Sequence, residues 1–258
     1  HMEFHPQSAE QTAREIVRLA IDNFSYRDQD RVFIPGQPMD LTAGFSVEAV
    51  LSALGGGPQP LLDAVTTGSI RGAAGIVGCN NPKIKQNYGH VELAKELIKK
   101  DVLVVETGCS AIACAQAGLL KPEAAELAGP GLKQVCTSLG IPPVLHMGSC
   151  VDCSRILVLA AALAKALDVA ISDLPLAGAA PEWYSQKAVS IASYFVSSGV
   201  YTVLGIPPKI FGSQNVLTLA AEGLNDVVGA TFAVEPDPHK AAGMMVKHIE
   251  HKRSGLGI

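Results

Sequence analysis

From Gly72 onward, short apolar runs alternate along the chain with longer segments whose apolar residues recur at helical spacing. Such runs are typical of buried strands, and the longer segments predict covering helices. The predicted strands are Ala73–Val77, Val102–Val105, Val144–His146, Leu174–Ala177, Tyr201–Leu204 and Thr231–Val234. The predicted helices are His90–Lys100, Ser110–Leu119, Gly131–Leu139, Cys153–Leu167, Ser185–Ser198, Gln214–Ala221 and Pro238–Lys252. This alternation predicts an α/β fold with a doubly wound, mainly parallel sheet.

A short helical prefix is predicted ahead of the sheet. The segment Ser8–Arg27 opens with Ser8-Ala9-Glu10-Gln11, a capping-box pattern, and continues with apolar residues at helical spacing. A second short helix is predicted over Phe45–Leu54, and Leu61, Leu62 and Val65 indicate a third. We therefore expect three helices before the first strand.

The domain organisation follows from these elements. The first two residues, His1-Met2, look like a cloning scar, because a natural chain begins at Met, and the sequence is then a piece of a longer one. We expect a helical prefix over residues 3–70, packed on a main domain over residues 71–258. The Gly- and Pro-rich clusters are short enough to be loops, so the chain is predicted to form one compact domain.

Composition and charge exclude several classes of protein. The chain has 258 residues, of which 48% are hydrophobic and 17% charged, and its formal net charge is −4. These values are typical of a globular protein and argue against nucleic-acid binding, which normally needs a basic excess. Because no apolar run approaches the roughly 20 residues of a membrane span, we expect a soluble, cytoplasmic protein.

The six cysteines indicate metal or redox chemistry, since disulfides are rare in cytosolic proteins. Three of them follow predicted strands directly, each after a Gly or Ser that lets the backbone turn: Cys79, Cys109 and Cys150. The carboxyl ends of parallel strands meet at one edge of a sheet, so these thiols are expected to converge. Thiolates suit iron–sulfur clusters, zinc and nickel, and a shared metal site is predicted.

Other readings of these residues stay open. The pair Cys150-x-x-Cys153 also fits a dithiol redox motif at the start of a helix, although Asp152 would oppose thiolate formation and the other thiols would have no role. His146 is either a ligand or a hydrogen-bonded histidine at a strand end. Cys114 and Cys136 lie within predicted helices and are expected in the core.

Three motifs in order, GCNNPK, TGCSAIAC and HMGSCVD, together with the segment APEWYSQKA, closely resemble nickel–iron carbon monoxide dehydrogenase of the anaerobic type. The resemblance runs from about Glu10 to Gly257 and covers the C-terminal portion of that enzyme. It implies a Rossmann-like domain that contributes cysteines to a Ni–Fe–S cluster containing nickel, iron and sulfide. The whole enzyme would oxidise CO with water to CO2, two protons and two electrons.

The resemblance also implies roles for individual residues. It assigns Cys79 and Cys109 as iron ligands and Cys150 as the thiolate on nickel. Lys187 matches a lysine that hydrogen-bonds bound CO2 or water and assists proton movement, whereas from position alone a lysine there is usually just solvated. Cys153 stands where the family often has a polar residue such as Asn. Homodimerisation and a ferredoxin-like electron acceptor are implied as partners.

The family's cluster also needs a histidine and further cysteines from a preceding domain, and its electrons leave through additional [4Fe–4S] clusters. Those cysteine-rich segments do not occur in this sequence. We therefore expect the chain to be inactive by itself, with the remaining domains of the enzyme as its partners; the Ni–Fe–S cluster is expected in the full enzyme, and the sequence leaves open whether this chain alone holds any metal. Two alternatives are a non-catalytic metal-binding or assembly module and a domain of a hybrid-cluster-type oxidoreductase.

Overall fold

The computed structural model describes residues 2–3, 5–34, 36 and 38–258, without the side chain of residue 221. The chain divides into two compact units, residues 1–39 and residues 40–258. Residues 40–70, which the sequence analysis assigns to the helical prefix, belong to the same unit as the sheet. The packing of a prefix over residues 3–70 on the main domain stays a prediction.

The first unit contains helix α1, Ala9–Asn23, flanked by 3₁₀ turns at Pro6–Ser8 and Phe24–Tyr26. The amphipathic helix is therefore present, but the predicted capping box is wrong. Ser8 makes no side-chain hydrogen bond to the helix, and its hydroxyl donates to the carbonyl oxygen of His5 at 3.4 Å. The reason is that Ser8 already ends a 3₁₀ turn, with φ −111° and ψ 9° in place of the extended backbone an N-cap needs.

The second unit is built on a six-stranded sheet in which every neighbouring pair is parallel. The strands are β1 Gly72–Ile76, β2 Val102–Thr107, β3 Val144–Gly148, β4 Leu176–Ala180, β5 Tyr201–Leu204 and β6 Phe232–Val234. Their order is β3-β2-β1-β4-β5-β6. The chain moves outward from β1 to β3 and returns to the other side of β1 with β4. The prediction of a Rossmann-like α/β fold is confirmed, and its switch point lies between β1 and β4.

Helices precede, connect and follow these strands. They are α2 Val47–Ala53, α3 Gln59–Thr66, α4 Tyr88–Ile98, α5 Gly108–Gln116, α6 Pro130–Leu139, α7 Cys153–Leu167, α8 Gln186–Ser197, α9 Gln214–Thr218, α10 Leu224–Val228 and α11 Pro238–Leu256. A π-helical turn at Leu219–Gly223 joins α9 to α10, where a single helix over Gln214–Ala221 was expected. In the described part of the chain, no helix is long and apolar enough to cross a membrane.

The fourth strand lies later in the chain than predicted, at Leu176–Ala180 in place of Leu174–Ala177. Pro175 has no N–H to donate to a neighbouring strand, so regular pairing begins after it, with Ala73 opposite Leu176. The strand then continues through Gly178, which has no side chain and so weakens the sequence signal for a strand. This shift moves the following loop, and hence Glu182, directly to the carboxyl edge.

The core lies on both faces of the sheet. Every residue of β2 is buried, including the polar Glu106 and Thr107, as expected for a parallel strand that helices cover on both sides. At the opposite end of the unit, the buried guanidinium of Arg253 on α11 donates to the carbonyl oxygens of Val65 at 2.8 Å and Arg71 at 3.2 Å. The last helix is thereby tied to the segment that leads into β1.

Candidate metal centre at the carboxyl edge of the sheet

The structure places the four predicted site residues at one edge of four adjacent strands. Cys79 follows β1, Cys109 is the second residue of α5 after β2, and Cys150 lies in the turn between β3 and α7. Lys187 is the second residue of α8, which follows β4. Cys79 and Cys150 are partly buried, whereas Cys109 is exposed. The edge therefore presents all three thiols next to the switch point.

Gly108 brings the turns after β2 and β3 into contact. Its backbone has φ +62°, a conformation that favours glycine. A Cβ atom at this position would lie 2.9 Å from the Cβ atom of Cys150. Glycine before Cys109 is thus required both by the backbone conformation and by the approach of the Cys150 turn.

Lys187 pairs with Cys150. Its Nζ atom donates to the Sγ atom of Cys150 at 2.9 Å. This hydrogen bond, together with the charge of the same thiol, raises the pKa of Lys187. The lysine is exposed in this chain. The hydrogen bond joins the start of α8 to the turn after β3.

Cys79 is surrounded by donors from the loop after β4. Burial is the largest single effect and opposes ionisation of its thiol, but the backbone of Ser185 and Tyr184 and two smaller effects together outweigh it and lower the pKa of Cys79. The Ser185 hydroxyl, 3.6 Å from the sulfur, and the charge of Lys187 act in the same direction. Two thiols on different strands therefore interact with the same lysine-bearing segment.

Sequence reasoning missed the residues that hold the Cys79 turn. The carbonyl oxygen of Cys79 lies 3.0 Å from Nε2 of His90, a fully buried histidine on α4 whose pKa burial lowers. The amide of Asn81 donates to the carbonyl oxygen of Trp183 at 3.2 Å, and Asn80 donates to Glu182 at the same distance. The only available signal was the pair of asparagines directly after the cysteine.

Cys153 is separated from the exposed edge. Its side chain is fully buried, its sulfur lies 2.9 Å from the hydroxyl oxygen of Thr107, and burial raises its pKa. A buried thiol with a raised pKa is a poor redox nucleophile, which argues against the dithiol reading. The other expected core thiols, Cys114 and Cys136, are buried as predicted. His146 is partly buried, and its ring makes no hydrogen bond to the described residues.

A second polar group, which was not predicted from the sequence, lies near the carboxyl end of β2, next to the sheet edge that carries the three thiols. The fully buried carboxyl of Glu106 accepts hydrogen bonds from Ser110 at 2.8 Å and Cys114 at 3.2 Å through Oε1. Its Oε2 atom has no partner in the described residues. Burial raises the pKa of Glu106 to about 7, so the carboxyl is partly protonated at neutral pH.

The donor set fits a multinuclear cluster better than a single ion. Within the described ranges, no three His, Cys, Asp or Glu side chains form a group that could hold one metal ion. Three separate thiols on adjacent strand ends suit a cluster in which each sulfur binds a different metal atom, as in iron–sulfur and nickel–iron–sulfur centres. The lowered pKa of Cys79 favours the thiolate form that such metals require.

Comparison with known proteins identifies the family of the chain. Residues 1–239 match the model of the family described as Prismane/CO dehydrogenase. Carbon monoxide dehydrogenase 1 of Methanosarcina mazei is 63% identical over 257 residues, which are 100% of this chain and 41% of that protein. The chain thus spans less than half of the length of this relative.

Solved structures show the same likeness. A nickel-free crystal structure of carbon monoxide dehydrogenase from Thermococcus sp. AM4 superposes with a TM-score of 0.91 at 59% identity, covering 100% of this chain and 41% of that chain. An acetyl-CoA synthase/carbon monoxide dehydrogenase with NiZn[Fe4S4] and NiNi[Fe4S4] clusters gives a TM-score of 0.89 at 37% identity, again covering 100% and 41%.

Proposed function

The chain belongs to the Prismane/CO dehydrogenase family, and we propose that it supplies the C-terminal, cluster-binding part of an anaerobic nickel–iron carbon monoxide dehydrogenase. The proposed reaction is the oxidation of CO with water to CO2, two protons and two electrons. The observation that carries the proposal is the placement of three thiols after adjacent strands at one sheet edge, where Lys187 donates to the sulfur of Cys150.

The proposed ligands are Cys79 and Cys109 for iron and Cys150 for nickel. Their places after β1, β2 and β3 support this assignment, because backbone hydrogen bonds between the strands fix the spacing of the turns. When bound, a nickel–iron–sulfur cluster would supply Lewis acidity and accept electrons. The chain's own contribution is to hold three thiolates and to keep a cation beside one of them.

Lys187 is proposed as the catalytic residue. Its ammonium group lies against the proposed nickel ligand, where it would stabilise negative charge that develops on a substrate oxygen. Because it reaches the site from an exposed helix start, it can also exchange protons with water. Both functions need a charged lysine, which the raised pKa of Lys187 favours.

The protein is also proposed to act with partners and in a particular compartment. Because the chain spans 41% of its Methanosarcina relative, we propose that further cluster ligands come from the rest of such an enzyme and that this chain alone does not oxidise CO. A homodimer, a ferredoxin-like electron acceptor and a cytoplasmic location belong to the same proposal. The free thiols support the last point, since a reducing compartment preserves them.

Metal uptake by the purified chain tests this function. After anaerobic incubation with iron, sulfide and nickel, Cys79→Ala and Cys109→Ala should bind less iron than the wild type, and Cys150→Ala less nickel. The control is Cys136→Ala, which removes a buried thiol on α6 and should leave the metal content unchanged. Equal metal content in all variants would remove these residues from the site, and CO oxidation by the isolated chain would contradict its proposed inactivity.

A further inference from the structure

A buried carboxyl group lies beside the proposed iron ligand Cys79. Glu182, two residues beyond the end of β4, has no exposed surface. The geometry points to Glu182 as a positioning residue that holds the Cys79 thiol and its backbone hydrogen-bond donors in register. This inference rests on the proposed function of Cys79 and adds a residue that touches neither the metals nor the substrate.

The carboxyl group accepts three hydrogen bonds from the other side of the switch point. Its Oε1 atom accepts from the backbone N–H of Gly89 at 2.7 Å. Its Oε2 atom accepts from the backbone N–H of Asn87 at 3.1 Å and from the side-chain amide of Asn80 at 3.2 Å. Two of these donors belong to the first turn of α4, where free N–H groups and the helix dipole stabilise a buried anion.

The third donor connects Glu182 to the metal site. Asn80 is the residue after Cys79, and its amide also donates to the side-chain oxygen of Asn87 at 2.7 Å. Asn87 has φ +67°, a left-handed conformation in which its side chain turns back toward this network. The turn that carries the Cys79 thiol is therefore joined to the start of α4 directly, through Asn87 and His90, and also through the Glu182 carboxyl group.

The same carboxyl group fixes the segment that donates to the thiol. Glu182 is followed closely by Ser185, whose hydroxyl oxygen lies 3.6 Å from the sulfur of Cys79, and the backbone of Tyr184 and Ser185 lowers the pKa of that thiol. Without Glu182, this segment would keep two contacts with the Cys79 turn, the bond from Asn81 to the Trp183 carbonyl and the contact of Ser185 with the sulfur. Glu182 thus bonds to the turn that carries the thiol and belongs to the segment that surrounds its sulfur.

The close packing at Gly89 agrees with a requirement for this geometry. A Cβ atom at position 89 would lie 3.2 Å from Cγ and 3.3 Å from Oε1 of Glu182. These distances are tighter than ordinary contacts, so a larger residue would push the carboxyl group away from the helix. Glycine at this position lets the carboxyl group approach the amide directly.

Amide hydrogen exchange in the metal-free chain tests the inference. In Glu182→Gln, a side-chain NH2 replaces one acceptor oxygen and leaves at least one buried donor unpaired. We expect the amides of Tyr184 and Ser185, as well as those of Asn87 and Gly89, to exchange about ten- to a hundredfold faster. The control is Asp237→Asn, which neutralises a different helix cap, one that accepts from His239 N at 2.9 Å, and should leave these amides unchanged.

A second variant separates positioning from simple helix capping. Asn80→Ala leaves the bonds from Glu182 to Gly89 and Asn87 intact but removes the link to the Cys79 turn. We expect faster exchange at Tyr184 and Ser185 with unchanged exchange at Gly89, and less iron uptake after reconstitution. If only the α4 amides accelerate in Glu182→Gln, and Asn80→Ala behaves as wild type, Glu182 is a helix cap and the inference is wrong.

The two proposals fail in different ways. Hydrogen exchange needs no metal, so its outcome reports on Glu182 alone. A wild-type chain that took up neither iron nor nickel would contradict the proposed function, while accelerated exchange at Tyr184 and Ser185 would still establish the positioning role. Normal metal uptake by Glu182→Gln with unchanged exchange would contradict the inference and leave the proposed function supported.

Discussion

The ammonium nitrogen of Lys187 lies 2.9 Å from the sulfur of Cys150, although the two residues are 37 positions apart in the sequence. The contact joins the turn after β3 to the first turn of α8 across the end of the sheet. Because these turns follow strands on opposite sides of β1, the hydrogen bond spans the switch point. Its effect can be measured as the pKa of Lys187.

Replacing Cys150 should lower the pKa of Lys187. In Cys150→Ala the lysine loses the hydrogen bond and the charge that raise its pKa most, so the value should move down toward that of an ordinary exposed lysine. An NMR titration of the Lys187 side chain measures this change. Cys109→Ala is the control, since that thiol does not contribute to the shift; an equal change in both variants would show that the pair is not the cause.

Gly108→Ala should destabilise the protein more than Gly118→Ala. Both glycines have positive φ, +62° and +76°, so both substitutions carry the left-handed strain of about 1–2 kcal/mol. Only at Gly108 would the new methyl group also meet Cys150, at 2.9 Å, whereas nothing lies within 4 Å at Gly118. We expect an additional loss of about 1–3 kcal/mol in urea unfolding. Equal losses of stability in the two variants would mean that the Cys150 turn moves to accommodate the new methyl group without cost.

Replacing Cys153 should reduce stability, whereas replacing Cys150 should reduce metal binding. Cys153→Ala removes a fully buried sulfur and leaves the buried hydroxyl of Thr107 without this partner, which should cost about 1–3 kcal/mol of unfolding free energy. Its nickel content after reconstitution should equal that of the wild type. Cys150→Ala should lose nickel and keep the stability of the wild type. Loss of nickel in Cys153→Ala, with normal stability, would make Cys153 a ligand.

Glu106 should make the folded state less stable as the pH rises. Burial raises its pKa from the ordinary 4.5 to about 7, so the folded chain binds the proton more tightly than the unfolded chain. Its stabilising contribution is complete below pH 4.5, declines between the two values and is lost above about pH 7. The difference between these pKa values corresponds to about 3 kcal/mol as an upper limit.

The variant Glu106→Gln keeps an acceptor for Ser110 and Cys114 but cannot ionise. Relative to the wild type, it should therefore gain stability between about pH 5 and pH 8, by up to about 3 kcal/mol. Urea unfolding of both proteins at about pH 5 and about pH 8 measures this gain in stability. A constant difference between wild type and variant would show that Glu106 keeps the same protonation state throughout.

The strands and the thiol edge could be predicted because their signals are local. An apolar run followed by glycine and cysteine is visible in a few residues, and the parallel arrangement then brings such turns together. Two predictions, the start of β4 and the cap of α1, were wrong because a neighbouring residue or turn changed the local backbone. Pro175 delayed β4, and the 3₁₀ turn before α1 changed the backbone of Ser8, so its side chain could not act as an N-cap.

The network around Cys79 could not be predicted in this way. Asn80 and Glu182 are 102 residues apart in the sequence, and neither belongs to a pattern that identifies its partner. His90 occupies a position that fits any amphipathic helix, and its contact with the Cys79 carbonyl appears only after β1 and α4 have packed. Such residues are found by asking what satisfies each buried polar atom.

The hydrophobic core is built without the thiols proposed as metal ligands. Its main cluster consists of buried residues from the sheet and its covering helices, and includes only two cysteines, Cys114 and Cys136. The thiols proposed as ligands lie outside it, at the strand ends. We therefore expect the chain to fold without metal, unlike a zinc finger, which unfolds when its ion is removed. Cluster assembly would then follow folding of the polypeptide.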